Sequence, residues 1–207
     1  MPKTIYIIRH GETDANSNGI MQGQLDTLLN HKGLIQAKLL AKRLTDTNFD
    51  TIYSSDLKRA FQTAQAVAQT TNQKIISTLE LRERNLGPFE GQNWESVVKK
   101  HSNFVNEAFG QDENNLGVES NHQIYNRIQI LHHHLKTHQK NKTIALFTHG
   151  GTKKIAIKYF TKKSLDPAFS PSNTSVTILK KTWLGRYKIE LLADISHLKG
   201  TLTLDSI

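Results

Sequence analysis

The chain has 207 residues, no cysteine and a formal net charge of +9 at pH 7. A chain of this length can bury a sizeable core as one domain, and the missing cysteine excludes disulfides, thiolate zinc sites and a cysteine nucleophile. The apolar run before Arg9 has about five residues, too few for a signal-peptide core or a membrane span. We therefore expect a soluble, cytoplasmic protein of one domain, residues 1–207, with no membrane partner.

The positive charge raises the local concentration of anions, which include nucleic acid and phosphorylated metabolites. No basic stretch is interleaved with aromatic residues in the manner of a base-stacking platform, so we expect no nucleic-acid partner. Each lysine cluster taken alone indicates a solvated surface. The sequence leaves open whether the chain forms a homo-oligomer.

The predicted elements begin with Thr4 to Ile8, an almost continuous run of apolar residues that is typical of a strand buried on both faces. A polar loop follows, and Asn30 then caps an amphipathic helix that carries Leu34 on its apolar face and ends near Thr45. The next predicted segments are a strand at 51–53, a helix at about 57–69 with cap residues at 54–56, and a strand at 74–77.

In residues 84–120 the regular pattern of helices and strands is interrupted, with chain breakers at Gly87, Pro88 and Gly91. We interpret this segment as a lid or insertion that is too short to carry its own core. Ser120 and Gln123 then have the spacing of a capping box that starts a long helix. The remaining segments are a strand at 143–147, a helix at about 150–160 and a hairpin of two strands between 176 and 192. This alternation predicts a three-layer α/β/α sandwich whose mostly parallel central sheet has an antiparallel edge strand.

Two nearly identical phrases lie far apart in the chain: residues 3–11 read KTIYIIRHG, and residues 142–150 read KTIALFTHG. Nothing else in the two halves matches, so we reject an internal duplication. If the phrases are neighbouring parallel strands, their carboxyl ends open into one crevice and place His10 and His149 side by side. Arg9 offers a fork of donors that matches phosphate oxygens, and a neutral imidazole can act as a nucleophile.

These residues belong to a longer series of motifs. Arg9-His10-Gly11-Glu12-Thr13 is followed by Asn16, by Gln22-Gly23, by Asp26, Leu29 and Gly33, by Tyr53-Ser54-Ser55-Asp56-Leu57-Lys58-Arg59-Ala60, by Leu81 to Gly91 with Glu83, by Glu119-Ser120, and by Thr148-His149-Gly150-Gly151. In this order they resemble the histidine phosphatase superfamily, which includes cofactor-dependent phosphoglycerate mutases. Asn30 stands where that family usually has Thr, a change that keeps a good helix cap.

The resemblance implies a phosphoglycerate mutase-like fold and a role for each matching residue. His10 would attack phosphorus to give a phosphohistidine, and Glu83 would protonate the leaving group and then take a proton from water. The family motif selects Glu83 over the other nearby carboxylates, which spacing alone could not do. The phosphate ligands would be Arg9, Arg59 and His149, and the other substrate contacts Asn16, Gln22, Gly23 and Gly150. No metal or cofactor is implied, and the partner would be a small phosphorylated metabolite.

Three functions remain open at this stage: a phosphatase of small phosphorylated metabolites, a phosphoglycerate mutase, and an inactive protein that binds phosphorylated ligands. Mutases of the family typically show Glu-Arg-His-Tyr-Gly where this chain has Glu83-Arg84-Asn85-Leu86-Gly87, so we favour the phosphatase. A pure binder needs no nucleophile and acid together. Trp94, Phe104 and Phe109 either line the substrate pocket or pack in a core.

Overall fold

The structure, a computed structural model, describes residues 1–101, 104, 115–137, 142–166 and 168–199. The strands of this described part are β1 Thr4–Arg9, β2 Thr51–Ser55, β3 Ile75–Thr78, β4 Thr143–Thr148, β5 Val176–Lys181 and β6 Tyr187–Asp194. The helices are α1 Asp14–Ser17, α2 His31–Leu44, α3 Lys58–Thr71, α4 Trp94–Lys100, α5 Asn121–Thr137 and α6 Gly150–Thr161. Short 3-10 turns lie at Leu79–Leu81, Gly87–Phe89 and Ser196–Leu198.

The strands form one sheet in the order β3-β2-β4-β1-β5-β6. The first four are mutually parallel, while β5 runs antiparallel to β1 and pairs with β6 in a hairpin at the sheet edge. Helices α5 and α6 bury their apolar residues against one face, and α2 and α3 against the other. The predicted α/β/α sandwich is therefore confirmed, and its antiparallel edge is the β5–β6 hairpin.

The two similar phrases pair with each other residue for residue. Thr4 lies opposite Thr143 and Arg9 opposite Thr148, so each position of one phrase faces the same position of the other. Every residue of both strands is buried or half-buried, because helices cover both faces of the sheet. This shared environment explains why two unrelated segments have nearly the same sequence.

The helix boundaries are close to the predictions, but the buried face of α2 and the cap of α3 differ from them. Leu34 is 44% exposed, because the buried face of α2 instead starts at Gly33, which packs against the loop after β1. The predicted caps of α3 are also wrong: Ser54 and Ser55 belong to β2, and the carboxylate of Asp26 accepts the Lys58 backbone N–H at 2.7 Å. A residue distant in sequence thus takes the capping role.

The segment predicted as a lid carries a small apolar cluster, which the sequence interpretation did not anticipate. Leu86, Phe89, Val97, Phe104 and Val118 pack together, joined by Met21 from the loop before α2. Much of the segment between α4 and α5, including Phe109, lies outside the described residues. The capping box of Ser120 and Gln123 is present at the start of α5. No helix in the described part of the chain is long and apolar enough to cross a membrane.

Candidate active site

The ends of β1 and β4 bring the two histidines together. The His10 backbone N–H donates to the Thr148 carbonyl at 3.0 Å, and the imidazole centroids of His10 and His149 lie 5.1 Å apart. Both side chains are buried, with 2% and 0% of their surface exposed. The predicted crevice at the carboxyl ends of parallel strands therefore contains both imidazoles.

His10 is held as a neutral ring with one defined tautomer. Its Nδ1 lies 2.6 Å from the Gly11 carbonyl oxygen, which can only accept, so Nδ1 carries the proton and Nε2 keeps its lone pair. Burial lowers the pKa of His10 well below its ordinary value, and the charges of Arg59 and Arg9 lower it further. Burial is the larger of these causes.

Arg9 has one buried hydrogen-bond donor that no described residue satisfies. Its Nη1 donates to the Pro171 carbonyl at 2.6 Å, but its buried Nε has no hydrogen-bond partner in the described residues. Burial lowers the pKa of Arg9, and the nearby Glu83 carboxylate opposes this effect. An unpaired buried charge-assisted donor is costly, and an anion in the cavity would satisfy it.

Arg59 is buried and fixed by the loop before α2. Its Nη1 donates to the Leu25 carbonyl at 2.6 Å, its Nη2 to the Gly23 carbonyl at 2.7 Å, and its Nε to Nδ1 of His149 at 3.2 Å. Burial lowers the pKa of Arg59 to about 10. Nη1 also donates to the Thr27 hydroxyl oxygen at 3.4 Å, so one N–H group, on Nη2, has no partner among the described residues.

His149 has a protein partner on each ring nitrogen. Since Nδ1 accepts from Arg59, Nε2 carries the proton and donates to Oγ of Ser55 at 2.9 Å. Burial, followed by the charge of Arg59, lowers the pKa of His149 well below its ordinary value. Ser55 was predicted as a helix cap, and the structure instead makes it the anchor of this imidazole.

The Glu83 side chain lies at the amino end of α6, the helix that begins directly after His149. Its carboxylate accepts from the backbone N–H groups of Arg84, Gly151 and Thr152 at 2.8, 3.0 and 3.1 Å. A Cβ on Gly151 would lie 2.8 Å from Oε1 of Glu83, so this position needs glycine. One on Gly150 would lie at an ordinary 3.6 Å from Nε of Arg9.

The competing carboxylates are engaged elsewhere. Glu12 pairs with Lys32, and Glu80 accepts from the Thr78 hydroxyl. Glu90 accepts from the backbone N–H groups of Gln24 and Leu86 and lies directly under Gly23, which has a φ of +50°. A side chain at Gly23 would overlap the Glu90 carboxylate. Glu90 therefore supports the loop that holds Arg59, and Glu83 is the one of these carboxylates that lines the cavity with His10.

Asn16 and Gln22 line the same cavity, each with its amide oxygen already in use. Asn16 Oδ1 accepts from the Thr13 backbone N–H at 3.2 Å, and Gln22 Oε1 accepts from the Thr27 hydroxyl at 2.5 Å. The group that each side chain can offer a ligand is thus its amide NH2, a donor suited to phosphate or carboxylate oxygens.

Comparison with known proteins places these features in a family. A family model described as histidine phosphatase superfamily (branch 1) matches residues 5–194. The chain belongs to the histidine phosphatase superfamily.

Individual histidine phosphatases match over nearly the full chain. The chain is 32% identical to phosphoglycerate mutase-like protein 4 of Arabidopsis thaliana over 98% of this chain and 90% of that one. It is also 32% identical to a metal-independent phosphoserine phosphatase of the same plant, over 95% and 83%. A solved mutant phosphoserine phosphatase from Entamoeba histolytica, in complex with phosphoserine, is similar with a TM-score of 0.80 at 27% identity, covering 94% of this chain and 98% of that one.

The histidine phosphatase motifs do not include every residue that builds this cavity. The loop at 170–175 supplies the Pro171 carbonyl to Arg9, and the Asn173 side-chain NH2 donates to the His10 carbonyl at 3.0 Å. Lys153 is completely buried and donates to the Ser175 carbonyl at 2.7 Å, which anchors that loop to α6. Only tertiary contact reveals these roles, since the loop is about 160 residues distant from β1 in sequence.

The cavity has a volume of about 1010 Å³ and a divided lining. His10, Arg9, Arg59 and Glu83 lie at its polar end. Its other walls are formed by Ile20, Met21, Leu86, Trp94 and Ile155, together with the cationic residues Arg84 and Lys154. Of the aromatic residues weighed from sequence, Trp94 lines the cavity, whereas Phe104 is buried in the apolar cluster of the lid segment.

Proposed function

We propose that this histidine phosphatase hydrolyses small phosphomonoesters through a phosphohistidine on His10. One observation carries the proposal: a buried neutral imidazole with a free Nε2 lies beside the unpaired Nε–H of Arg9. An inactive binder would gain from the cation but would have no use for a nitrogen lone pair kept unprotonated.

In the first half-reaction, the phosphate group binds between the arginines. Arg9 donates Nε–H and Arg59 donates its remaining Nη2 N–H to the phosphate oxygens, and Gly150 leaves room beside Arg9. Nε2 of His10 forms the P–N bond in line with the breaking P–O bond. The ring becomes cationic on phosphorylation. Throughout this step the Nδ1–H group of His10 keeps its hydrogen bond to the Gly11 carbonyl oxygen.

Glu83 moves the protons of both half-reactions. It gives a proton to the leaving oxygen of the ester, and the resulting carboxylate is stabilised by the backbone donors of Arg84, Gly151 and Thr152. In the second half-reaction the same carboxylate takes a proton from water, the water oxygen bonds to phosphorus, and the P–N bond breaks. The products are an alcohol and inorganic phosphate, and His10 and Glu83 return to their starting states.

His149 has a second task beside the phosphate contact that the sequence resemblance implies. With Arg59 on Nδ1 and Ser55 on Nε2, it has no free nitrogen for a phosphate oxygen. We propose that it orients Arg59 in the ligand-free site. It reaches the phosphate only if binding displaces one of these two partners.

The rest of the cavity favours a compact organic group that carries a second negative charge. Lys154 is a half-buried cation on the lining, next to the apolar side chain of Ile155. Phosphorylated hydroxy acids or amino acids offer a carboxylate for this cation and little else to bury. The relatives named phosphoserine phosphatases are consistent with this class of substrate.

The test compares hydrolysis of phosphoserine, 3-phosphoglycerate, glycerol phosphate and an aryl phosphate, in EDTA and with or without 2,3-bisphosphoglycerate. We expect phosphate release in EDTA from the carboxylated substrates, abolished in His10→Ala and selectively weakened for those substrates in Lys154→Gln. Isomerisation of 3-phosphoglycerate that depends on the bisphosphate, without net release of phosphate, would instead show a mutase. No turnover of any substrate would show a binding protein.

A further inference from the structure

The turn between β5 and β6 exposes two large apolar side chains. Trp183 is 92% exposed and Leu184 is 63% exposed, at the apex of a turn that projects from the sheet edge. The turn is well defined: the Thr182 backbone N–H donates to the Arg186 carbonyl at 2.7 Å, and that of Gly185 to the Thr182 carbonyl at 3.0 Å. Trp183 is thus the most exposed aromatic residue of the described part of the chain, and it lies in a hydrogen-bonded turn.

A group of exposed cations surrounds this apex, and we call it the basic collar. Its members are Lys3, Lys142, Lys180, Lys181, Arg186 and Lys188. Lys3 is adjacent because its carbonyl accepts the Lys181 backbone N–H at 2.8 Å, and Lys142 is adjacent to Lys3 in the same way at 2.7 Å.

Two carboxylates lie close to the collar. Glu190 pairs with Lys180 at 3.0 Å and with Lys188 at 3.6 Å, and Asp50 accepts the backbone N–H of Lys142. When the negative charges of Glu190 and Asp50 are subtracted, the basic collar still has an excess of positive charge near the exposed side chains of Trp183 and Leu184.

The apex lies at the opposite end of the sheet from the candidate active site. Because β5 is antiparallel to β1, Lys180 lies opposite Thr4 at the start of β1, whereas Val176 lies opposite Ile8, near its end. His10 follows that end, and the six residues of β1 span about 20 Å. A surface that binds the apex thus leaves the substrate cavity open to solution.

From this arrangement we propose that the β5–β6 turn docks the protein peripherally on an anionic lipid surface. Tryptophan prefers the boundary between hydrocarbon and water, and cations near a membrane are attracted by anionic headgroups. Two exposed apolar side chains on one turn are too few for a stable protein interface, which typically buries about 800 Å² on each partner. This proposal revises the expectation of no membrane partner, and it is independent of the reaction that the cavity catalyses.

The experiment measures cosedimentation with vesicles of phosphatidylcholine alone or with phosphatidylserine. We expect binding only to the anionic vesicles, lost in Trp183→Ser/Leu184→Ser. In Lys181→Gln/Arg186→Gln it weakens by about fivefold for each cation removed. Control variants are Lys38→Gln/Lys42→Gln on α2, with the same change in charge, and Leu79→Ser, which removes an equally exposed apolar side chain elsewhere. In a Trp94→Phe background, the emission of Trp183 should shift to the blue on binding.

All these side chains are exposed, and Trp94 is the one among them that lines the cavity. The turn and control variants should therefore keep their hydrolysis of soluble phosphomonoesters. The proposal is overturned if the protein fails to bind anionic vesicles, or if the controls weaken binding as much as the turn variants do. It is also overturned if the turn substitutions leave vesicle binding intact but break a dimer seen by light scattering, because a second copy of the chain would then be the partner.

Discussion

Replacing Glu83 by glutamine separates the two tasks that the structure gives this side chain. Glutamine keeps the length and an oxygen acceptor, but it loses the charge and the proton. At the start of α6 the Gly151 and Thr152 backbone N–H groups donate to the Glu83 carboxylate. In the glutamine variant an NH2 group replaces one carboxylate oxygen, so one of these donors would face another donor. The lost charge at the helix terminus and one imperfect hydrogen bond should cost about 1–2 kcal/mol of stability. For a chain of this size, that lowers Tm by about 2–8 °C.

The chemical loss should be much larger than the structural one. Removal of a general acid-base group typically costs about 10²- to 10⁴-fold in rate. The loss should fall on different steps for different substrates, because an aryl phosphate has a leaving group that needs no protonation. We therefore expect Glu83→Gln to lose turnover of phosphoserine at the first half-reaction. With an aryl phosphate it should release one equivalent of the phenol in a burst and then stall, since water attack still needs the base.

Rapid-mixing kinetics with both substrates, beside wild type and at a temperature well below both Tm values, checks this expectation. An absent burst, together with equal losses in rate for aryl and alkyl esters, would refute the role of Glu83 as proton donor. Its importance would then lie in the position of α6 alone.

Three further predictions follow from the same geometry. Gly151→Ala should lower both kcat and Tm by more than Gly150→Ala, because its Cβ would lie 2.8 Å from Oε1 of Glu83; steady-state kinetics and thermal melts measure this. Arg59→Lys keeps the charge but loses the fork that binds two carbonyls, so kcat/KM should fall by about 10²- to 10³-fold. Unfolding in urea should show stability falling as pH drops below about 6.5, by up to about 1.4 kcal/mol per pH unit for each buried active-site imidazole, with a smaller slope in His10→Gln.

The sign of the pH effect follows from proton uptake. Both imidazoles have a folded pKa far below the unfolded value, so below about pH 6.5 the unfolded chain binds protons that the folded chain does not. Stability that is flat from pH 7.5 to 5 would contradict the neutral histidines. Equal kinetics for the two glycine variants would contradict the packing of Glu83 on α6, and a nearly active Arg59→Lys would show that the charge alone suffices.

The sequence predicted those parts of the site that follow from local pattern. The paired phrases identified β1 and β4 as neighbours, since buried parallel strands select the same apolar residues, and the structure pairs them in register. The sequence could not predict what depends on distant contacts. The anchoring of His149 by Ser55, the cap that Asp26 provides for α3 and the support of Arg9 by Pro171 all join segments that no spacing rule connects.

The direct test of the central claim is the capture of a phosphorylated enzyme. Protein mixed with substrate is quenched at alkaline pH, where phosphohistidine survives, digested, and analysed by mass spectrometry. The proposed mechanism requires phosphate on the peptide that contains His10, lost on acid treatment, absent in His10→Ala and accumulating in Glu83→Gln. Turnover without any phosphorylated peptide, or phosphate on another residue such as His149, would contradict it.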